Sequence, residues 1–261
     1  MTTMIEYRGD MSLKQLLRLQ LERAGISVRR HPVVGTHQWL LKELFSRTAT
    51  NCVFDVGGHI GSFARQLRAW GYKGPIVSFE PVPSSYARLE ASMRSDPLWI
   101  GQPYGLSNES RVAFIKTYSK SDFNSLLNLR DDAERAYQID GSGRSEVRVE
   151  LRRLDEAMAD LAPRLPNAPC IYMKMDTQGH DMQVMQGAAG ILHRLCGFQS
   201  ELPAVQIYHG MASMPDLLAY YSQIGFVPIG FFPVNTFDET MISPEFDVVF
   251  TRIQEDYRAL S

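Results

Sequence analysis

The chain has 261 residues, of which 44% are hydrophobic and 21% charged, and a formal net charge of −2. That length can bury a substantial core and suits one α/β domain with a small extension. The slightly acidic balance gives no support for a nucleic-acid partner, and no apolar run reaches the roughly 20 residues a membrane helix needs.

Residues 1–10 are polar and lack an apolar signal core, so the cytoplasm is the expected compartment. Residues 12–24 carry Leu13, Leu16, Leu17, Leu21 and Ala24 at helical spacing, with Gly25 placed to end the helix. Trp39, Leu40, Leu44 and Phe45 predict a second helix. Residues 1–48 are therefore expected to form an N-terminal helical cap, and residues 49–261 the main domain.

A strand over 51–56 opens that domain. Gly57, Gly58 and Gly61 form a tight turn, and Phe63, Ala64, Leu67 and Trp70 give the next helix one apolar face. A strand at 75–79 and a helix at 84–93 follow. Strand, helix, strand, helix in this order predicts a parallel sheet with helices on both faces. A weaker strand is expected at 99–104, and further strands at 112–118 and 147–151. Residues 119–146 between them are polar and Gly/Ser-rich with no clear period, and read as a functional or mobile loop. A helix at 154–161 precedes a strong strand at 170–175. Gly179 then leads into a helix carrying Met182, Met185, Ala189 and Leu192. An apolar strand near 196–202 ends at Glu201. Ser213, Pro215 and Asp216 cap a helix over 214–224, and strands at 226–232 and 246–251 close the chain. Three cysteines, Cys52, Cys170 and Cys196, show no metal-ligand spacing and are expected as buried free thiols.

Asp55-Val56-Gly57-Gly58-His59-Ile60-Gly61 is the first chemical signal. Glycines let the backbone bend sharply and approach a ligand, and open α/β sheets bind ligands beyond the carboxyl ends of their strands. Glu80 ends the second strand, near the separation expected of a ribose-hydroxyl acceptor. A nicotinamide dinucleotide would want a glycine where His59 stands. Asp55 would also put negative charge near the turn, which suits a sulfonium better than a pyrophosphate. The alternatives are a nicotinamide-dependent oxidoreductase, a non-catalytic Rossmann-like binding module, and a glycine turn that only packs helix on strand.

With these motifs goes a longer series: Val77-Ser78-Phe79-Glu80-Pro81, Gly105-Leu106-Ser107, Asn124-Ser125-Leu126-Leu127, Arg153-Leu154-Asp155, Lys174-Met175-Asp176-Thr177-Gln178-Gly179-His180-Asp181 and Ile207-Tyr208-His209-Gly210-Met211. In this order the sequence resembles the FkbM family of methyltransferases over nearly its whole length. The resemblance implies a Rossmann-like class I methyltransferase fold, mostly parallel, and the terminal strand pair fits its antiparallel C-terminal strand. It implies S-adenosylmethionine as cofactor and O-methylation of a sugar, glycan or secondary-metabolite hydroxyl. Asp55, Gly57 and Gly61 would then line the methionine and ribose, with Gly58 and His59 in the same loop. Glu80 would hold the ribose hydroxyls, and Gly105, Leu106 and Ser107 would lie near the adenine. Gly58-His59 departs from the family's usual Ala-Asn, and His180 replaces an aromatic or aliphatic residue.

Methyl transfer needs an oxygen in line with the S–CH₃ bond and a group to take its proton. Asp176, ending the fourth main strand, is expected beside the methyl; its plain alternative is a helix cap. His180 and His209 are the candidate bases. Ser125 is expected to touch cofactor or substrate from a lid over 119–146. Asp176, Glu201 and His209 are weighed as ligands for a divalent cation such as Mg, although no compact metal motif is present. The expected partner is a small-molecule or glycan acceptor, with homodimerisation left open.

Overall fold

A computed structural model describes residues 33–139, 144–167, 169–234 and 243–252, together with Leu17, Gln20, Leu21, Arg23 and Ala24. Most of the helix expected over 12–24 lies outside these residues, although Leu17, Gln20, Leu21 and Arg23 are helical. Most of the segment joining the last two strands also lies outside them. The chain divides into two compact units, 1–40 and 41–261. No helix among the described residues is long and apolar enough to cross a membrane.

Helix α1 (His37–Thr48) leads into strand β1 (Cys52–Val56), helix α2 (Ser62–Ala69), strand β2 (Ile76–Phe79), helix α3 (Pro83–Met93) and strand β3 (Trp99–Gln102). Three strands of a smaller sheet follow: β4 (Gly105–Leu106), β5 (Arg111–Thr117) and β6 (Ser145–Arg152). Helix α4 (Asp131–Ala136) lies between β5 and β6. Then come α5 (Leu154–Leu161), β7 (Ile171–Met175), α6 (Asp181–Gly187), β8 (Leu195–Pro203), α7 (Met214–Gln223), β9 (Phe226–Pro233) and β10 (Glu245–Arg252).

The main sheet has seven strands in the order β3-β2-β1-β7-β8-β10-β9. Strands β3, β2, β1, β7 and β8 are parallel to their neighbours, and β10 runs antiparallel to both β8 and β9. The mostly parallel Rossmann-like sheet and the reversed terminal pair are as the sequence leads one to expect. Every residue of β1 and of β7 is buried, which is why both read as near-continuous apolar runs. The connection leaves β1 toward β2 on one side and reaches β7 on the other. This reversal opens a crevice at the carboxyl ends of β1 and β7. Because β10 is antiparallel, its first residues lie at that same edge: Glu245 pairs with Pro203, and Asp247 with Glu201.

Phe198 on β8 centres the aromatic core beneath α7, with Tyr221, Phe226 and Phe250 rings 4.7–5.0 Å away. The Ser213–Asp216 capping box that starts α7 forms as its spacing suggests.

Three features differ from the sequence reading. Strands β4, β6 and β5 form a separate sheet. The segment 119–146 contains α4, whose six residues are too few to show a helical period. Its Leu129, Ala133 and Ile139 pack with Ile207, Tyr208 and Met211. Residues 140–143 lie outside the described ones. Finally, Cys170 and Cys196 are not free thiols but a bonded pair, with Cα atoms 5.6 Å apart. Neighbouring strands β7 and β8 pair Ile171 with Leu195, and the two cysteines flank that pair, a proximity that exists only once the strands associate. Cys52 is the free cysteine among the described residues, and burial pushes its thiol up to about 12.

Arg68 on α2 secures the turns at the amino-terminal edge of this half of the sheet. It donates to the Asp96 carboxylate at 2.6 Å and to the carbonyls of Tyr72 and Gly74 at 2.9 and 2.8 Å. Arg68→Ala should therefore lower the free energy of unfolding by about 2–3 kcal/mol, since three acceptors lose a charged donor together. Denaturant titration checks this, and an unchanged midpoint contradicts it.

Candidate active site

A row of polar side chains crosses the sheet one residue below the crevice. Ser78, Asp55, Lys174 and Gln199 are register partners on β2, β1, β7 and β8 and so share one face. Trp99 Nε1 donates to Ser78 Oγ at 3.0 Å, and Ser78 Oγ donates to Asp55 Oδ2 at 3.2 Å. Lys174 Nζ lies 3.7 Å from Asp55 Oδ1, 3.1 Å from Asp176 Oδ2 and 3.5 Å from the Gly57 carbonyl. Asp55 is 0% exposed. Burial raises its pKa, while Lys174 and Ser78 pull it back. Burial opposes the charge on Lys174, but Asp176 and Asp55 outweigh it and hold the ammonium firmly protonated.

Above this row the chain turns at Gly57. Its φ of +76° is left-handed, and a Cβ there would come within 2.0 Å of the Asp176 carbonyl. Only glycine lets the ends of β1 and β7 approach this closely. Gly61, at φ +82°, sits tightly against Ser92 and Leu89. His59 lies between them at φ 47°. Its backbone N–H donates to Glu80 Oε2 at 2.9 Å, and Val82 N–H donates to Glu80 Oε1 at 2.9 Å. Burial raises the Glu80 carboxyl to about 7, against the pull of these two amides.

The crevice is a cavity of about 460 Å³, within the roughly 300–1,000 Å³ usual for small-molecule sites. Of the sequence-predicted residues, Gly57, His59, Glu80, Gly105, Leu106, Ser125, Asp176, His180 and Glu201 line it. Asp55, Gly58, Gly61 and Ser107 do not. Asp55 faces the polar row, and Gly58 and Gly61 shape the turn from behind. Ser107 Oγ is hydrogen-bonded to His180 Nε2 at 2.9 Å. His180 is 8% exposed, and burial lowers its pKa to about 4. His209 is exposed on a turn outside the cavity. Its backbone N–H donates to the Asn128 carbonyl at 2.8 Å, which holds the turn in place.

The far edge of the cavity holds residues to which the sequence reading gave no role. Thr177, Gln178, Tyr137 and Glu245 line it beside Asp176 and Glu201. The Asp176 side chain keeps 39% of its surface exposed, at the cavity edge. Burial opposes its charge, but Lys174 and the Gln178 amide outweigh that and hold its carboxyl below the usual range. Gln178 Nε2 donates both to Asp176 Oδ1 at 3.0 Å and to Glu201 Oε2 at 3.1 Å. Burial and the nearby carboxylates raise Glu201 well above the ordinary range, and burial and Asp176 raise Glu245 to about 7. Asp176, Glu201 and His209 do not form a metal cage: among the described residues no group of three His, Cys, Asp or Glu side chains could hold a metal ion. Among the described residues no lysine or arginine lines the cavity.

Lys174 is therefore the cation that neutralises Asp55 and steadies Asp176. Lys174→Met should destabilise the fold by about 3–5 kcal/mol, because it leaves a buried carboxylate uncompensated. The double variant Lys174→Met/Asp55→Asn should recover part of that loss. Equal unfolding midpoints for the wild type and the single variant contradict this role.

Comparisons with known proteins bear on this geometry. The family described as "Methyltransferase FkbM domain" matches residues 55–228, about two thirds of the chain. A relative named Methyltransferase 1, from Beauveria bassiana (strain ARSEF 2860), is 24% identical over 146 residues, covering 52% of this chain and 57% of the relative. The chain thus matches little more than half of that relative's length. Among solved structures, Methyltransferase FkbM from Methylobacillus flagellatus KT is 17% identical, with a TM-score of 0.46 over 77% of this chain and 43% of that one. Magnesium protoporphyrin IX methyltransferase from Synechocystis PCC 6803 with bound SAM is 10% identical, with a TM-score of 0.43 over 94% of this chain and 100% of that one. The glycine turn, the acid ending β2 and the Asp176 loop all fall inside the matched domain, and the chain belongs to the FkbM methyltransferase family.

Proposed function

We propose that the protein transfers the methyl group of S-adenosylmethionine to a hydroxyl of a sugar, glycan or secondary metabolite. One observation carries the reading: a single cavity joins Glu80, at the end of β2, to Asp176, at the end of β7, across the Gly57 turn. A carboxylate offers about four lone-pair sites. Glu80 uses two on backbone amides and keeps the others for ribose hydroxyls. Val82, Leu106, Ile115 and Leu151 give the apolar wall on which an adenine would pack. The bound cofactor supplies an activated methyl on a cationic sulfur. Asp176, kept ionised by Lys174, supplies the negative charge that such a cation favours.

The acidic lining also bears on the acceptor. With Glu80, Asp122, Asp176, Glu201 and Glu245 on its walls, and no lysine or arginine among the described residues there, the cavity disfavours a phosphate or carboxylate and suits a neutral hydroxyl. In this reading His180 orients Ser107 and its loop, and His209 would meet an acceptor at the surface. Segment 119–146 serves as the lid. His59 Nε2 lies 3.0 Å from Ser121 Oγ, its Nδ1 lies 3.4 Å from the Asp122 carboxylate, and Ser125 Oγ donates to the Gln178 carbonyl at 2.7 Å. These contacts tie the lid to the glycine turn and the Asp176 loop, so the closed lid would keep water from the methyl.

Two measurements test the reading. Calorimetry should show S-adenosylhomocysteine binding one to one, and Glu80→Ala should abolish most of the affinity. Below about pH 7 the Glu80 carboxyl takes up a proton and loses acceptor capacity. Binding should therefore weaken by up to about tenfold per pH unit as pH falls through that value, and Glu80→Gln should flatten the dependence. The same shift has the opposite sign for the empty protein. Between pH 4.5 and about 7 the unfolded chain has released a proton that folded Glu80 still holds, so stability falls as pH rises.

Second, radiolabelled methyl from S-adenosylmethionine should appear on neutral sugars, glycosides or polyols. It should not appear on sugar phosphates or uronic acids. Transfer only to nitrogen nucleophiles, or no binding of S-adenosylhomocysteine, overturns the proposal.

A further inference from the structure

We infer that Glu201 and Glu245 act as a carboxyl pair that takes the acceptor's hydroxyl proton, with Gln178 as the residue that positions Glu201. The inference rests on the O-methylation reading above and names the proton acceptor within it.

The topology brings the pair together. Glu201 approaches the end of a parallel strand, and Glu245 opens the antiparallel one beside it. Both line the cavity that holds Asp176. Glu245 is 6% exposed. Glu245 pairs with Pro203, two residues beyond Glu201 on β8, so both carboxyl groups stand on one face of the sheet at one end of the cavity, and two carboxyl groups that share a site favour keeping one proton between them.

The positioning of Glu201 is unusually complete. Asp181 accepts its backbone N–H at 3.1 Å and the Ser200 hydroxyl at 2.7 Å. Gln178 fixes the side chain from the other direction. It sits at φ 52°, a left-handed conformation that costs a non-glycine residue energy. Its side-chain carbonyl lies 2.9 Å from the Tyr208 hydroxyl, so its NH₂ must face Asp176 and Glu201. The strained backbone thus aims one amide at the two acids. That amide keeps Glu201 within one side chain's reach of Asp176, the edge assigned to the methyl.

The histidines fit the role less well. His180 is occupied by Ser107, and burial disfavours its protonated form. His209 is exposed outside the cavity.

The charges also balance. A singly protonated pair carries one negative charge, and the cofactor's sulfonium carries one positive charge. In the step, the acceptor oxygen forms a bond to the methyl carbon while the sulfur–carbon bond breaks and sulfur keeps that electron pair. The O–H bond breaks as well. Its electron pair stays on oxygen, and its proton passes to the ionised carboxylate of the pair. Both charges vanish together, leaving neutral ether, neutral thioether and two carboxylic acids. A step that removes separated charge is favoured where water is excluded. The groups facing the pair are Asp176 just after β7, Asp181 on α6, Asp247 on β10, Tyr137 after α4 and Tyr208. All are acids or phenols, and they keep the pair's shared proton in place. Lys174 is the counter-charge, acting on Asp247 and Asp176.

The test uses the full chain loaded with S-adenosylhomocysteine and carrying ¹³C-carboxyl glutamate. Glu201 and Glu245 should titrate together above the ordinary carboxylate range. Glu245→Gln should return Glu201 toward that range, and Gln178→Ala should shift both. Two independent titrations in the ordinary range overturn the pair. In single-turnover methylation of a neutral sugar, Glu201→Gln should cut the rate by about 10²-fold and abolish the acid limb of the pH–rate profile. Glu201→Asp should restore part of the rate. S-adenosylhomocysteine affinity should stay within about twofold throughout. A Glu201→Gln rate within about threefold of wild type overturns the base role alone. Failure of the wild type to bind S-adenosylhomocysteine overturns instead the reading on which it rests.

Discussion

The site depends on a charge that the sheet could not otherwise bury. Asp55 sits inside a parallel strand whose other residues are apolar, and its carboxylate has no contact with solvent. Lys174, its register partner on β7, makes that tolerable. The same ammonium reaches Asp176 and the Gly57 carbonyl, so one cation ties β1, β7 and the glycine turn into a single unit. Buried ion pairs of this kind contribute little net stability but are costly to break, and they fix geometry. Here the geometry fixed is the crevice.

Above that unit the electrostatics divide the cavity into two ends. At one, Glu80 accepts two backbone amides and is raised to about 7 by burial. At the other, Asp176 stays ionised beside Lys174 while Glu201 and Glu245 are pushed up by burial and by the carboxylates around them. Perturbed acids gathered in a crevice mark functional sites. The proposed reaction would bring in a cation and release a proton, and acids at the two ends of the cavity suit both events.

Much of this was legible in the sequence where the determinants are local. The glycine turn, the apolar strands around it and Glu80 at the end of the next strand announce themselves within the single stretch 51–80. The capping box of α7 does the same over 213–216. Asp176 was legible as the acid ending a strong strand. Other features depend on contacts between distant segments. Asp55 looks like a ligand contact from its place before the turn, yet alternation along β1 points it into the polar row. Glu245 carries no local signal and reaches the cavity because β10 runs backwards beside β8; Gln178 stands within the Lys174–Asp181 motif, but its aim depends on a left-handed backbone bend. The Cys170–Cys196 pair was likewise invisible until β7 and β8 were known to be neighbours. The places of His180, buried against Ser107, and of His209, exposed on a turn, are likewise set by tertiary contacts.

The most direct test of the central claim is a crystal structure of the S-adenosylhomocysteine complex. The account predicts ribose hydroxyls on Glu80, the sulfur at the Asp176 end of the cavity, and Lys174 still bridging Asp55 and Asp176 beneath. A ligand bound elsewhere, or an adenosine that avoids Glu80, would contradict it.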